Sequence, residues 1–139
     1  MTVEINKTLV RRLFEEVYNQ RNYAVADELI AANYISHSGS DTEVFGPEGI
    51  KKTAALQHAA FPDLQTTIED LIAEGDKVVV RGTDRGTFRG GFMNYAPTGR
   101  SFTITWIDIF RIENGKLVEA WLEIDTDKFR QEIGLSAPR

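Results

Sequence analysis

The dipeptide Asn114-Gly115 is the sequence feature that most restricts the fold, because it separates two runs in which apolar and other residues alternate. Alternation with a period of two is typical of β-strands. Asn-Gly between two such runs favours a tight hairpin, since both turn positions accept a positive φ angle. The sequence therefore predicts an antiparallel pair formed by Ser101–Glu113 and residues 118–125.

The length of the turn predicts which side chains share a face of this pair. A two-residue turn would pair Glu113 with Lys116 and, farther from the turn, Trp106 with Glu123. A three-residue loop would instead move every side chain of one strand to the opposite face. Directly opposed residues share a face, so one face is expected to be aliphatic, for a core or a subunit interface. The other face is expected to carry Phe102, Ile104, Trp106, Asp108, Phe110, Ile112, Leu117, Glu119, Trp121, Glu123 and Asp125.

An aromatic face that also carries carboxylates is typical of a small-molecule pocket, whose walls are mostly apolar with a few placed polar groups. A carboxylate among indoles loses water, which raises its pKa toward the range useful for acid–base catalysis. The alternative is that Glu119 and Glu123 lie at a solvated edge while the tryptophans pack under helices.

Composition narrows the class of protein. A chain of 139 residues predicts one domain, spanning residues 1–139. A net charge of −5 and the lack of a basic stripe argue against a nucleic-acid partner. No cysteine is present, which excludes disulfides and cysteine metal sites, and two histidines without metal-ligand spacing argue against a metal. The start has no apolar leader and no stretch reaches membrane length, so we expect a cytoplasmic protein without a membrane partner.

Periodicity places helices before strands. Apolar residues at four-residue spacing predict a helix over 7–19, Asn22 can cap a second, and Gly46-Pro47 opens a third that Pro62 ends. Alternation then predicts strands over 66–73 and 77–88, followed by the hairpin described above and a short helix over 126–133. The predicted fold class is α+β, a curved antiparallel sheet packed against three N-terminal helices, with its concave face lining a cone.

The chain resembles the SnoaL-like polyketide and ester cyclases of the nuclear-transport-factor-2-like superfamily, whose cone-shaped α+β barrel is also described as cystatin-like. The resemblance runs over nearly the whole chain. It is carried by Tyr34-x-x-His37, Gly46-Pro47-Glu48-Gly49, Phe61-Pro62-Asp63, Ala73-Glu74-Gly75-Asp76-Lys77-Val78, Val80-Arg81, Gly86-Thr87, Pro97-Thr98-Gly99-Arg100, Ile107-Asp108-Ile109, Asn114-Gly115-Lys116 and Glu119-x-Trp121-x-Glu123-x-Asp125.

This resemblance implies an activity and a site. In such cyclases one aspartate acts as acid and base on a polyketide ester and closes a ring by intramolecular aldol condensation, without metal or organic cofactor. The matching catalytic residue is Asp125, and dimers formed through the sheet are common in the family. The substrate-binding residues that we expect, from the resemblance and the predicted faces together, are His37, Phe61, Arg81, Trp106, Asp108, Phe110 and Trp121.

Several residues have a structural alternative. Asp125 could instead cap the helix that follows it. Asp108 could form a salt bridge to Arg81 or Arg85, and Arg81 could pair with Asp70 if the preceding turn lies at Gly75-Asp76. His58 is expected to be solvated.

Three functions remain open from the sequence. The leading one is a cofactor-independent lyase or isomerase, in which Asp125 removes a proton flanked by carbonyls and Arg81 or His37 stabilises the enolate by hydrogen bonds. The second is an epoxide-hydrolase-like enzyme, in which Asp108 and Asp125 activate one water. The third is a binding module that holds a small ligand in the cone without changing it.

Overall fold

The computed structural model describes residues 2–38 and 43–135, in which helices pack against one face of a sheet. The helical segments are α1 (Val3–Arg12), its π-helical continuation (Leu13–Asn19), a 3₁₀ turn (Tyr23–Val25), α2 (Ala26–Leu29), α3 (Gly46–Ala60) and α4 (Thr126–Glu132). The strands are β1 (Ile30–Ser38), β2 (Val44–Phe45), β3 (Gln65–Glu74), β4 (Lys77–Thr87), β5 (Ser101–Glu113) and β6 (Lys116–Ile124).

The α+β class and the antiparallel meander of β3 to β6 are confirmed, but the sheet is larger than predicted. Within the described residues it is open, curved and six-stranded, in the order β2-β1-β6-β5-β4-β3. It is also mixed, since β1 runs parallel to β6. The sequence predicted only a brief extended piece here, because an irregularity between Ile30 and Ile35 interrupts the alternation that identifies a strand.

The Asn114-Gly115 hairpin forms as predicted, with φ angles of 51° and 75° at its two turn residues. The predicted register holds only next to the turn. A β-bulge at Val118 then shifts the pairing by one residue, so that Trp106 lies opposite Ile124 instead of Glu123. The prediction that the acidic face of β6 joins the aromatic face of β5 is therefore wrong.

Burial of apolar side chains explains the bulge. Leu117 and Ala120 both belong to the main core although they are three residues apart, a spacing that a regular strand would place on opposite faces. The extra residue also turns the next apolar residues, Ala120, Leu122 and Ile124, toward the helices. Glu119, Trp121 and Glu123 consequently lie on the outer face of the sheet with Ile107 and Ile109.

Two clusters of buried side chains form the core. The larger one joins α1, its π-helical continuation, α2 and α3 to the inner face of the sheet, and includes Trp106 and Phe110. The smaller one lies beside α4 and includes Phe61, Phe88 and Phe102. None of the described helices has the length and apolar character that crossing a membrane requires.

Candidate active site

The inner face of the sheet borders a cavity with two adjoining lobes. The polar lobe has a volume of about 110 Å³ and the apolar lobe about 120 Å³. Both lobes are bordered by Gln57, Asp84 and Ile124. The polar lobe is completed by Phe14, Tyr18, Thr66, Trp106, Asp108 and Leu122, and the apolar lobe by Phe61, Leu64, Phe92, Phe102, Ile104 and Phe129.

The pairing of β4 with β5 places the polar side chains of this cavity. Gly82 lies opposite Trp106, and Asp84 lies opposite Ile104. Alternate residues of one strand share a face, so Trp106 and Asp108 both point inward from β5 while Asp84 points inward from β4. The two carboxylates thus lie on one concave wall, on either side of one indole.

The indole of Trp106 lies directly on the backbone of Gly82. A Cβ atom at Gly82 would overlap the six-membered ring of this indole, so the close approach requires glycine. The other side of the indole contacts the ring of Phe14, with centroids 4.9 Å apart. Trp106 is therefore held between a strand and a helix.

Asp84 is oriented by two donors that share one of its oxygens. Thr66 Oγ1 and Trp106 Nε1 donate to Asp84 Oδ1 at 2.9 and 3.0 Å. Thr66 is itself held by Asn19, whose side chain accepts from its backbone N–H and donates to its carbonyl oxygen, both at 2.8 Å. Because both donors lie on Oδ1, the lone pairs of Oδ2 remain available. Burial raises the pKa of Asp84, and the two hydrogen bonds partly oppose that rise.

Burial affects the carboxyl group of Asp108 more strongly than that of Asp84. The Oδ1 atom of Asp108 is buried and has no hydrogen-bond partner among the described residues. Burial raises the pKa of Asp108 well above its ordinary value, and a hydrogen bond from the backbone of Ile109 opposes this only in part. These conditions favour the neutral carboxylic acid, which can donate a hydrogen bond to a carbonyl oxygen.

Tyr18 brings a third polar group to the polar lobe. Burial of its hydroxyl, together with the nearby charges of Asp108 and Asp84, raises the pKa of Tyr18. The phenol therefore keeps its proton and is available as a donor. Tyr18 lies in the π-helical segment, which also carries Phe14, and the two rings stack with centroids 5.8 Å apart. Such segments are rare and are often found at functional sites.

His58 fixes the backbone that carries Tyr18. Its Nε2 lies 2.7 Å from the carbonyl oxygen of Tyr18, and its Nδ1 lies 2.6 Å from the hydroxyl of Tyr23. Only a neutral ring with the proton on Nε2 donates to the carbonyl and accepts from the hydroxyl. Burial lowers the pKa of His58 and favours this form. The expectation that His58 is solvated was wrong, since it is 5% exposed.

Three of the predicted site residues border the cavity. Trp106 and Asp108 line the polar lobe, and Phe61 lines the apolar lobe. Phe110 lies on the same face but is buried against Phe14, with ring centroids 6.0 Å apart, and belongs to the core.

Three other predicted residues lie on the outer face, away from the cavity. His37 lies between Glu43 and Glu119, with nitrogen–oxygen distances of 3.1 and 2.9 Å, and stacks on Trp121. Arg81 pairs with Asp70 at 2.7 Å, which is the structural alternative that the turn at Gly75-Asp76 implied. The substrate-binding roles of His37, Arg81 and Trp121 stay predictions that this placement does not support.

Asp125, the predicted catalytic residue, caps α4. Its Oδ1 accepts a hydrogen bond from the backbone N–H of Lys128 at 3.0 Å. The side chain is exposed and borders a depression on the outer face that Arg81 also lines. Asp125 and Asp108 are therefore not brought together, which contradicts the expectation that they share one face. The catalytic role of Asp125 stays a prediction, and its geometry is that of a helix cap.

Sequence reasoning missed Asp84, Tyr18, Gln57 and Thr66. Asp84 had a usable signal, because alternation from Val78 and Val80 places it on the inner face of β4. Tyr18 follows Phe14 at helical spacing and was interpreted only as part of an apolar stripe. Neither pattern distinguishes a cavity wall from a packed core.

Among the described residues, the lining of the cavity offers acidic and aromatic side chains but no cationic one. None of the described residues that line its two lobes is basic. Likewise, the described part of the chain has no group of three or more metal-ligating side chains placed to hold a metal ion. The chemistry available from the lining residues is thus proton transfer and hydrogen bonding.

Comparisons with known proteins identify the family. The model of the SnoaL-like polyketide cyclase family matches residues 8–133. A search of the curated proteins gave no significant match.

Solved structures agree with this match. A protein from Jannaschia sp. CCS1, provisionally assigned as a SnoaL-like polyketide cyclase, is 27% identical with a TM-score of 0.86, and the match covers 98% of this chain and 94% of that one. IdmH from Streptomyces antibioticus, provisionally a polyketide cyclase, is 29% identical with a TM-score of 0.77, over 92% and 97% of the two chains. AclR from Streptomyces galilaeus, provisionally a hydroxylase, is 26% identical with a TM-score of 0.83, over 99% and 89%. The chain belongs to the SnoaL-like polyketide cyclase family.

Proposed function

We propose that this protein is a cofactor-independent acid–base enzyme of the cyclase type, acting on a small uncharged carbonyl compound in the two-lobed cavity. The observation that carries the proposal is the pair of carboxyl groups on one concave wall, Asp84 and Asp108. Their environments differ, and pairs whose pKa values are pushed apart are a common basis for assigning an acid and a base.

In the proposed mechanism Asp84 is the base. Its Oδ1 is occupied by two donors, so Oδ2 accepts the proton from a carbon flanked by two carbonyls. The electrons of the C–H bond move into an enolate. Asp108, as the neutral acid, and the hydroxyl of Tyr18 donate hydrogen bonds to the enolate oxygen.

Ring closure follows without further groups. The enolate carbon attacks a second carbonyl of the same molecule, which forms one carbon–carbon bond and an alkoxide. The alkoxide takes the proton back from Asp84, so the enzyme returns to its starting state. The aromatic walls exclude water and hold the two reacting carbons together, which removes much of the entropic barrier.

The test is exchange of the α-proton of a β-diketone for deuterium, followed by proton NMR. Asp84→Asn should slow the catalysed exchange by about 10²–10⁴-fold, the usual contribution of a positioned acid or base. Asp76→Asn, in the exposed turn between β3 and β4, is the matched control and should exchange at the wild-type rate.

Asp125→Asn is the discriminating variant. We expect it to keep its exchange rate and nearly all of its stability, because the asparagine side-chain oxygen can accept the same capping hydrogen bond from the Lys128 N–H. Loss of exchange in Asp125→Asn with full exchange in Asp84→Asn would contradict the proposal and support the sequence-based assignment instead.

The structure argues against the epoxide-hydrolase-like mechanism, whereas a non-catalytic binding module stays compatible with it. The epoxide-hydrolase-like mechanism needs Asp108 and Asp125 at one water, and the register of β5 and β6 separates them. A non-catalytic binding module would use the same cavity. Binding of a β-diketone without any catalysed exchange would favour that module.

We further propose that the protein forms a homodimer through the outer face of its sheet. An apolar row crosses four strands there, because Ile72 pairs with Val79, Val79 with Ile109, and Ile109 with Trp121. Ile72 is 63% and Trp121 36% exposed. Charged residues of both signs flank this row, with Arg81 and Glu123 on one side and Arg111 and Glu119 on the other. Two copies related by a two-fold axis can therefore place opposite charges against each other. Light scattering should give twice the monomer mass, and Ile109→Glu should give the monomer; a monomeric wild type would contradict this.

A further inference from the structure

We infer that the substrate of this site is an uncharged compound whose carbonyl part occupies the polar lobe and whose apolar part is a single small ring. The inference deepens the proposed function and rests on it. It differs from a general expectation of a polyketide, because it excludes substrates with fused ring systems.

The volume of the apolar lobe sets the size of the ring. The lobe measures about 120 Å³. An engineered apolar cavity of about 150 Å³ in another protein holds one benzene molecule, whereas sites for larger ligands span roughly 300–1,000 Å³. The lobe therefore has room for one six-membered ring or a branched chain of similar bulk.

Aromatic side chains give the lobe walls that suit a ring. The ring centroid of Phe61 lies 4.9 Å from that of Phe102 and 5.6 Å from that of Phe129, and Phe102 and Phe129 are 5.0 Å apart. All three pairs meet edge to face, at interplanar angles of 71°, 80° and 89°. Aromatic rings favour this arrangement, so a bound ring can add further contacts of the same kind.

The walls are also held in place. Phe61 and Phe102 are both buried and come from different elements, the end of α3 and the start of β5. Phe129 belongs to α4, lines the lobe and is half-buried, so it is more accessible to solvent than Phe61 and Phe102. Substitution of Phe129 should change the lobe while leaving the main core intact.

The boundary between the lobes orients the substrate. Gln57 and Asp84 border both lobes, so a ring in the apolar lobe places its attached carbonyl group next to the proposed base. An ionised substrate would meet Asp84 and Asp108 without any described basic lining residue to balance it. Uncharged β-dicarbonyl compounds fit both lobes.

The test uses three probes that share one β-diketone and differ in their ring. Acetylacetone has no ring, benzoylacetone has one, and naphthoylacetone has two fused rings. By calorimetry, benzoylacetone should bind wild-type protein about 10–100-fold more tightly than acetylacetone, because its ring is buried. Naphthoylacetone should bind at least about 10-fold more weakly than benzoylacetone, because a second ring has no space.

Enlarging the lobe should reverse the preference. In Phe129→Ala, naphthoylacetone should gain at least about 10-fold in affinity while benzoylacetone loses affinity. Phe129→Leu, a smaller change, should move in the same direction and serves if the alanine variant does not fold. Phe45→Ala is the matched control, since Phe45 is 62% exposed on β2 and should leave all three affinities unchanged.

The outcomes separate this inference from the proposed function. Wild-type protein that binds naphthoylacetone as tightly as benzoylacetone, or binds none of the probes, would overturn the inference. Asp84→Asn should keep the ring preference while losing deuterium exchange. Ring preference in wild-type protein without any catalysed exchange would leave the inference standing and refute the proposed function.

Discussion

Replacing Asp108 with asparagine should stabilise the protein at neutral pH, by an amount that depends on pH in a defined direction. Burial raises the pKa of Asp108, so the folded protein holds a proton that the unfolded chain releases. The stability of the wild type therefore rises as the pH falls from the folded pKa of Asp108 toward the ordinary carboxyl value of about 4. The asparagine side chain has nearly the same shape and no charge, so the variant would lack this dependence.

The magnitude follows from one proton. Within that pH window the difference in the free energy of unfolding between Asp108→Asn and wild type should change by about 1.4 kcal/mol per pH unit. For a urea dependence of about 1–3 kcal/mol per molar, this shifts the difference in unfolding midpoint by about 0.5–1.4 M per pH unit. The variant should be the more stable protein at neutral pH, with an advantage that vanishes near pH 4.

The assay is urea unfolding, followed by circular dichroism, at several pH values between about 4 and 8. Asp76→Asn, in an exposed turn, is the control and should show no such trend. A difference that stays constant with pH would show that Asp108 titrates as an ordinary carboxyl. A wild type that loses stability relative to the variant as the pH falls would show a lowered pKa and refute the reasoning.

Two further predictions concern the polar lobe. Gly82→Ala should lower the free energy of unfolding by about 1–3 kcal/mol, because the added methyl group overlaps the Trp106 indole, and it should shift the tryptophan fluorescence. An unchanged unfolding midpoint would contradict the close contact between Gly82 and Trp106. The pH profile of kcat/KM for exchange should be bell-shaped. Activity should rise as Asp84 ionises and fall as Asp108 loses its proton, with both limbs above the ordinary carboxyl value. A profile with a single rising limb would remove Asp108 from the mechanism.

Periodicity and turn chemistry predicted most of the elements. The stripe that contains Leu9 and Leu13 identified the first helix, although its end is π-helical, and Asn114-Gly115 identified the hairpin. The strand β1 was largely missed, because the irregularity between Ile30 and Ile35 interrupts its alternation and because its pairing with β6 joins residues far apart in the sequence.

The candidate site was predicted only in part, for a specific reason. Alternation in the sequence of a strand predicts which of its side chains share a face. A single bulge, however, exchanges the face that packs against the core with the face that points away from it. Two adjacent apolar residues, Leu117 and Val118, were the sequence sign of that bulge. Because the bulge was not predicted, Trp121 and Asp125 were assigned to the pocket. Asp84, on a different strand, was overlooked.

The central claim is that one cavity holds an acid and a base whose different environments set their roles. Carbon-13 NMR of the aspartate carboxyl groups, titrated in wild-type protein and assigned with Asp84→Asn and Asp108→Asn, measures this directly. We predict that both carboxyl groups titrate above the ordinary value and that Asp108 has the higher pKa of the two. Between those two pKa values the cavity then holds one carboxylate and one neutral acid. Titration of both groups near pH 4, as for solvated aspartates, would contradict the account.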